Sequence, residues 1–307
     1  MQNTKPSCDI SVVIPLYNKA STIYTTLISV LAQSVRPREV IVIDDGSTDG
    51  SAEIVEQMIV EEPHVKLVRQ ANAGVSAARN RAIEMAQGEW VALLDGDDIW
   101  SPEYLKAVHE MIERWPECGA YGTGFYVEDN MRSIVGSTPK QTGKVDFFTE
   151  SMHRYVLIPS ATTLRRDLVL RLGGFPMGMR MGEDQYLWTK IAREAEVAFW
   201  AQPMIIYQKS ASNRSASIYR AEQSEFSLED LYDASASAIS NMLHVWHWAR
   251  RLSRVLVAVL IRRVGRWSSL PTILCPSVLS VRCVSSMLCH GGCVHRCLPP
   301  IIGWRGL

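Results

Sequence analysis

The chain has 307 residues, 47% hydrophobic and 21% charged, enough apolar material to bury a substantial core and far from a disordered composition. Lys plus Arg and Asp plus Glu number 32 each, so the charge balance excludes nucleic acid as an expected partner. Only Cys8 and Cys118 fall in the first 270 residues, which excludes a disulfide scaffold there. The opening MQNTKPSCDI lacks the apolar run of a signal peptide, and the cytoplasm is the expected location.

Ile10–Pro15 is a short apolar run of the kind that makes a buried parallel strand. Between Ser21 and Gln33, Ile23, Leu27, Val30 and Leu31 fall on one helical face. Val40–Ile43 is a second strand, stopped by Asp44-Asp45-Gly46-Ser47, and Asp49 is the expected N-cap of the helix that follows. Val65–Val68 is a third strand, Val75–Gln87 a third helix and Trp90–Leu94 a fourth strand. That strand stops at Asp95-Gly96-Asp97-Asp98, and Pro102 is expected at the first position of another helix. Further on, Ala120–Val127 reads as a strand, Glu183–Glu194 as a helix, and Ala198–Trp200 and Ile205–Tyr207 as two short strands. Repeated strand–helix units imply a mostly parallel sheet covered on both faces, with ligands beyond the carboxyl ends of its strands. Both acidic clusters sit at such ends.

Asp44-Asp45-Gly46-Ser47 puts two carboxylates on a tight turn; the same residues are also common turn formers, so alone they define only a turn. As a site, one carboxylate would accept a hydrogen bond from a nucleobase or ribose. Asp95-Gly96-Asp97-Asp98 holds three carboxylates that repel one another unless a cation or donors neutralise them. Oxygen-only ligands suit Mg²⁺ or Mn²⁺, which would also engage a diphosphate, whereas a solvated acidic loop would need neither. In Asn72–Asn80 (NAGVSAARN), small residues allow close approach of a ligand and Arg79 has the fork for a phosphate, although a helix arginine is ordinarily a surface residue. Gly173-Gly174-Phe175-Pro176 followed by Gly182-Glu183-Asp184 is a glycine-rich loop before a helix. The acidic pair there either complements the helix dipole or supplies a general base, Asp184.

SVVIPLYN (11–18), VIVIDDGSTDGS (40–51), NAGVSAARN (72–80), WVALLDGDD (90–98) and GGFP…GEDQYLW (173–188), in that order, resemble the family 2 glycosyltransferases of the GT-A fold. The resemblance implies an α/β, Rossmann-like catalytic domain over residues 1–220. It implies an inverting enzyme that moves a sugar from a nucleotide-sugar, expected to be a UDP-sugar, to a hydroxyl of a glycan or lipid-linked acceptor, such as a surface-polysaccharide precursor. Residue by residue, it places Pro15 and Tyr17 on the floor of the nucleotide pocket and Asp44 or Asp45 at the base. Arg79 lines the same pocket, Asp95 meets the ribose or diphosphate, Asp97 ligates Mg²⁺ or Mn²⁺, and Asp184 is the catalytic base.

Residues 221–267 read as a helical basic extension, and within it 244–267 mixes Trp, Val and Leu with Arg. Its apolar core, Val255–Ile261, is too short to span a bilayer. It suits either a helix packed on the catalytic domain or a peripheral helix at the inner face of the plasma membrane. Arg263-Val264-Gly265-Arg266-Trp267 matches a motif of processive synthases in form, but lies far from Asp184 and is read as chance. Residues 268–307, with Cys275, Cys283, Cys289, Cys293 and Cys297, are an atypical tail, disordered or frameshifted in origin, with no assigned function. The rival readings are an aspartate-based phosphatase or phosphotransferase using Asp95 and Asp97, and a non-catalytic nucleotide-sugar-binding protein.

Overall fold

The computed structural model describes residues 6–129, 132–179 and 182–208. In chain order the elements are β1 (Ile10–Leu16), α1 (Ile23–Leu31), β2 (Glu39–Asp44), α2 (Ser51–Met58), β3 (Val65–Arg69), α3 (Val75–Met85) and β4 (Trp90–Leu93). Then come β5 (Ile99–Trp100), α4 (Tyr104–Arg114), β6 (Ala120–Asp129), β7 (Arg132–Val135), β8 (Gly143–Val145), α5 (Phe147–Ser151), β9 (Thr162–Arg165), α6 (Arg166–Arg171), α7 (Glu183–Glu194) and β10 (Val197–Gln208).

The apolar runs of β1 and β2 are continuous because both faces of the sheet are covered. Strand alternation splits them between two cores. Val12, Ile14, Leu16, Val40 and Val42 pack with Ile23, Leu27 and Val30 of α1 and with Tyr104, Leu105, Val108 and Met111 of α4. Val13, Ile41, Ile43, Val91 and Leu93 pack on the other face with Ala78, Ala82 and Ile83 of α3, Leu168 and Val169 of α6, and Leu187, Trp188 and Ile191 of α7.

The sheet has the order β3-β2-β1-β4-β9-β6-β10-β5, with β7 on β6 and β8 on β10. β3, β2, β1 and β4 run parallel. β9 is antiparallel to both β4 and β6, while β6 and β10 are parallel. The parallel strand–helix units read from the sequence therefore form one half of the sheet, and the second half is mixed.

Three local expectations are corrected. Asp49 does not cap α2: Gly50, at φ +88°, takes that position. Asp49 instead accepts the Ser51 N–H at 3.0 Å and the Ala20 N–H at 2.9 Å, tying two loops together. Pro102 lies in the turn before α4, whose N-cap is Glu103, because pairing of β5 with β10 holds the chain extended through Trp100. The two short strands expected near 200 are one strand, β10, whose register on β6 shifts on either side of Pro203. A proline there has no N–H to give the ladder, so apolar patterning breaks where the strand does not.

Among the described residues no helix is long and apolar enough to cross a membrane. The boundary at 220, the extension over 221–267 with its stretch 244–267 and Arg263–Trp267, and the Cys-rich tail over 268–307 lie outside the described residues.

Candidate active site

β1, β2 and β4 all run parallel, so the loops after Leu16, Asp44 and Leu93 emerge at one edge of the sheet. The first two are stitched to each other. Asn18, with φ +50°, donates its N–H to Ser47 Oγ at 3.0 Å and accepts the Thr48 N–H on Oδ1 at 2.8 Å. The Lys19 N–H reaches Ser51 Oγ at 2.7 Å. Such a left-handed residue is tolerated in asparagine because its short side chain bonds locally. Tyr17, between the strand and this stitch, is 44% exposed. Pro15 lies within β1, in register with Ile43.

Alternation along β2 and β4 separates the two aspartates of the first cluster. Ile41, Ile43 and Leu93 face α3, and the continuation of that face carries Asp45 and Asp95. Asp45 is buried and its carboxylate accepts the N–H groups of Ala73 and Gly74, each at 2.9 Å, and the Gln70 amide at 2.7 Å. It thereby shapes the loop that opens α3. Asp44, also buried, accepts the Ser47 N–H at 3.1 Å and closes the turn.

Arg79 projects from α3 and is 3% exposed. Its Nη2 meets Asp95 Oδ1 at 2.7 Å, its Nη1 meets Glu183 Oε1 at 3.3 Å, and the guanidinium lies 5.2 Å from the centre of the Phe175 ring. Burial opposes the charge, yet Asp95 and Glu183 outweigh it and raise the Arg79 pKa, so the guanidinium stays charged. The sequence suggested a phosphate partner for Arg79; in the structure two carboxylates engage its fork. Through this pair Asp95 and the start of α7 are brought together, although residues 79 and 183 are 104 apart in sequence. Asp184, the next residue of α7, lies close enough to act on the charge of Arg79, and its Oδ1 accepts the Gln185 N–H at 2.7 Å.

Burial, with Asp184 adding repulsion, lifts the Glu183 pKa to about 7. The folded protein then keeps a proton that the unfolded chain releases near its ordinary value of 4.5. The folded state therefore binds the extra proton between pH 4.5 and 7 and loses stability as pH rises across that window, by up to about 3 kcal/mol. Thermal unfolding of wild type should show this slope, and Glu183→Gln should flatten it; equal slopes would contradict the assignment.

The second acidic cluster divides its work. Asp98 is buried, accepting the Ser160 hydroxyl and, at 3.0 Å, the Gln208 N–H. Burial, followed by Asp97 and Asp95, drives its pKa well above the usual range, so it serves as structure. Asp97 meets the ammonium of Lys19 at 2.6 Å, and burial together with Asp95 still raises its pKa. Asp95, Asp97, Glu183 and Asp184 thus share one neighbourhood with two paired side-chain cations, Lys19 and Arg79. Asp97 and Asp95 offer the oxygen ligands that a hard divalent ion would take. Glu117, Cys118 and Glu196 also converge, but at the opposite, amino end of β6 and β10. There Lys144 already bridges both glutamates, and burial, then Glu117, pushes the thiol up to about 12.

The glycine-rich loop is locked to α3 by a pair of bonds. Asn80 Nδ2 donates to the Phe175 carbonyl and Phe175 N–H donates to Asn80 Oδ1, both at 2.8 Å. Gly174, at φ +69°, has no room for a side chain: a Cβ would lie 2.5 Å from Asn80 Oδ1. At Gly173, with φ +84°, a Cβ would meet nothing within 4 Å. Gly173→Ala should cost about 1 kcal/mol of backbone strain, and Gly174→Ala about 3 kcal/mol or more once the lock breaks. Urea unfolding of the two variants checks this; equal losses would contradict it.

Of the residues expected at the site, Asp45, Arg79, Asp95, Asp97 and Asp184 gather at this edge, and Tyr17 lies exposed on the loop after β1. Lys19, Ser160 and Gln208 escaped the sequence reading. Lys19 had a signal, a lysine straight after a buried strand and its exit loop. Ser160 and Gln208 had none.

The doubly covered sheet, with its acidic loops at the carboxyl ends of the parallel strands, has the GT-A fold of family 2 glycosyltransferases. Residues 11–173, just over half of the chain, match the family model described as "Glycosyl transferase family 2", and the chain belongs to that family. It is 49% identical to the uncharacterized glycosyltransferase YibD of Escherichia coli over 102 residues, 33% of this chain and 30% of YibD. It is 27% identical to the uncharacterized glycosyltransferase EpsJ of Bacillus subtilis over 237 residues, 73% of this chain and 68% of EpsJ. The crystal structure of S. aureus TarS 1–349 in complex with UDP-GlcNAc superposes with a TM-score of 0.62 at 25% identity, covering 84% of this chain and 73% of that one.

Proposed function

We propose that the protein transfers a sugar from a nucleotide-sugar, a UDP-sugar by preference, to a hydroxyl acceptor in a single inverting displacement. The observation that carries this reading is the Asp95–Arg79–Glu183 bridge, which joins the start of α7, and with it Asp184, to the Asp95 carboxylate after β4. The UDP-GlcNAc held by the structurally similar TarS supports the choice of donor.

In this reading Tyr17 stacks on the base and Asp45, on the face shared with Arg79 and Asp95, accepts from the base. Asp95 meets the ribose or diphosphate while Arg79 holds it in place. Asp184 takes the proton of the acceptor hydroxyl. The acceptor oxygen bonds to the anomeric carbon as the bond to the diphosphate breaks, and one displacement inverts that centre. Asp97, with Asp95, would hold a divalent ion, which when bound would supply positive charge for the leaving diphosphate. The acceptor is a glycan or a lipid-linked surface-polysaccharide precursor, which places the enzyme in the cytoplasm or at the inner face of the plasma membrane. Family membership takes the place of the phosphatase alternative, and the assembled carboxylates favour catalysis over binding alone.

Incubation with UDP-, GDP-, CDP- and TDP-sugars, followed by release of the nucleoside diphosphate, tests the reading. Release from one class of donor, with an inverted anomeric signal in the product, is expected. A retained configuration, or a folded protein that releases nothing from any donor, would sink it.

A further inference from the structure

The Lys19–Asp97 pair is more than a surface contact. The two side chains are 13% and 12% exposed, and Nζ lies 2.6 Å from Asp97 Oδ2. The root of Lys19 is fixed: its N–H donates to Ser51 Oγ at 2.7 Å, and its carbonyl accepts the N–H groups of Thr22 and Ile23 at 3.0 and 2.9 Å. Its stem crosses the acidic loop, with Cγ 3.5 Å from where a Cβ on Gly96 would stand, and Thr22 Oγ1 donates to the Gly96 carbonyl at 2.8 Å. Residues 19–22 therefore clamp the acidic loop, and the stem of Lys19 carries the ammonium across it to Asp97.

A divalent ion held by Asp97 would share the carboxylate that this ammonium already holds. The two cations would repel one another across one carboxylate. Once displaced, a lysine with a fixed root stays within a few ångströms of Asp97, beside the diphosphate that the ion engages, and an ammonium is a good point-charge partner for phosphate.

We propose that Lys19 is a resident cation of the donor site: it holds Asp97 while no nucleotide is bound, yields that carboxylate to the divalent ion, and then pairs with the donor's diphosphate. This rests on the donor-site reading above. Lys19 is in this sense a positioning residue for the acidic loop and a binding residue for the donor. Its two tasks pull in opposite directions, which gives the test its force.

Mn²⁺ uptake, read from the electron paramagnetic resonance signal of the free ion, is measured for wild type, Lys19→Met, Lys19→Arg and Asp97→Ala, with and without UDP. Without nucleotide, Lys19→Met should bind Mn²⁺ about tenfold more tightly, since a repelling charge is gone. With saturating Mn²⁺, the same variant should bind UDP about tenfold more weakly. Lys19→Arg should track wild type, and Lys19→Gln gives the same two readouts if the methionine variant does not fold. A nucleotide-free Mn²⁺ affinity that Lys19→Met leaves unchanged or lowers overturns the role of Lys19 alone. No Mn²⁺ uptake by wild type even with UDP overturns the metal reading, and the role of Lys19 falls with it.

Discussion

Asp184→Asn is expected to lower the rate of sugar transfer about a thousandfold while leaving UDP affinity within about twofold of wild type. The asparagine keeps the shape of the side chain but cannot take a proton. Asp184 sits at the second position of α7, beside Glu183 and close to Arg79, while its backbone is fixed by the helix. Glu183 is the natural control because it is the nearest other carboxylate. A glutamine there keeps a side-chain oxygen that can accept from Arg79, so Glu183→Gln preserves the bridge and should retain most of the transfer rate. Donor turnover and UDP calorimetry on the two variants decide between them. Were Glu183→Gln the inactive variant and Asp184→Asn nearly normal, the base would be the other residue.

The second large effect is on stability. Arg79→Met should destabilise the protein by about 3–5 kcal/mol, because it leaves Asp95 and Glu183 facing one another without their shared cation. In a domain of this size each kcal/mol lowers the melting temperature by about 2–4 °C, so a fall of roughly 10 °C is expected. Lys in place of Arg should recover only part of the loss, since one ammonium cannot bond two separated carboxylates as a planar fork does. The loss should shrink at low pH, where Glu183, already lifted by burial to about 7, takes up a proton. A melting temperature within a degree or two of wild type would contradict the bridging role.

The legible parts of the molecule were those with local causes. Runs such as Val40–Ile43 announce a strand buried on both faces, and a cluster of aspartates after such a run announces the carboxyl edge of the sheet. The helix Glu183–Glu194 appears with the expected bounds because its apolar spacing and its acidic start agree. Where sequence reading failed, the cause was distant. Pro102 precedes α4 because β5 pairs with β10, a contact that spans about a third of the chain and leaves no mark near residue 102. Asp98 looked like one more acidic ligand, yet Ser160 and Gln208, 62 and 110 residues away, turn it into a buried strut. The fork of Arg79 could be assigned to the site but not to its partners, since an arginine on a helix reads the same whether phosphate or carboxylate faces it.

The two aspartates Asp44 and Asp45 show how structure adds to a motif. In sequence they are equivalent neighbours. Strand alternation sends Asp45 to the face of α3, where three donors from residues 70–74 hold it, and leaves Asp44 to close the turn.

Calorimetric titration of UDP into wild type and Asp97→Ala, each with and without Mn²⁺, tests the donor site most directly. The expected result is binding by wild type that depends on Mn²⁺ and is lost in Asp97→Ala. Wild-type protein that is folded yet binds neither UDP nor GDP, CDP or TDP, or that binds UDP equally well in all four titrations, would contradict it.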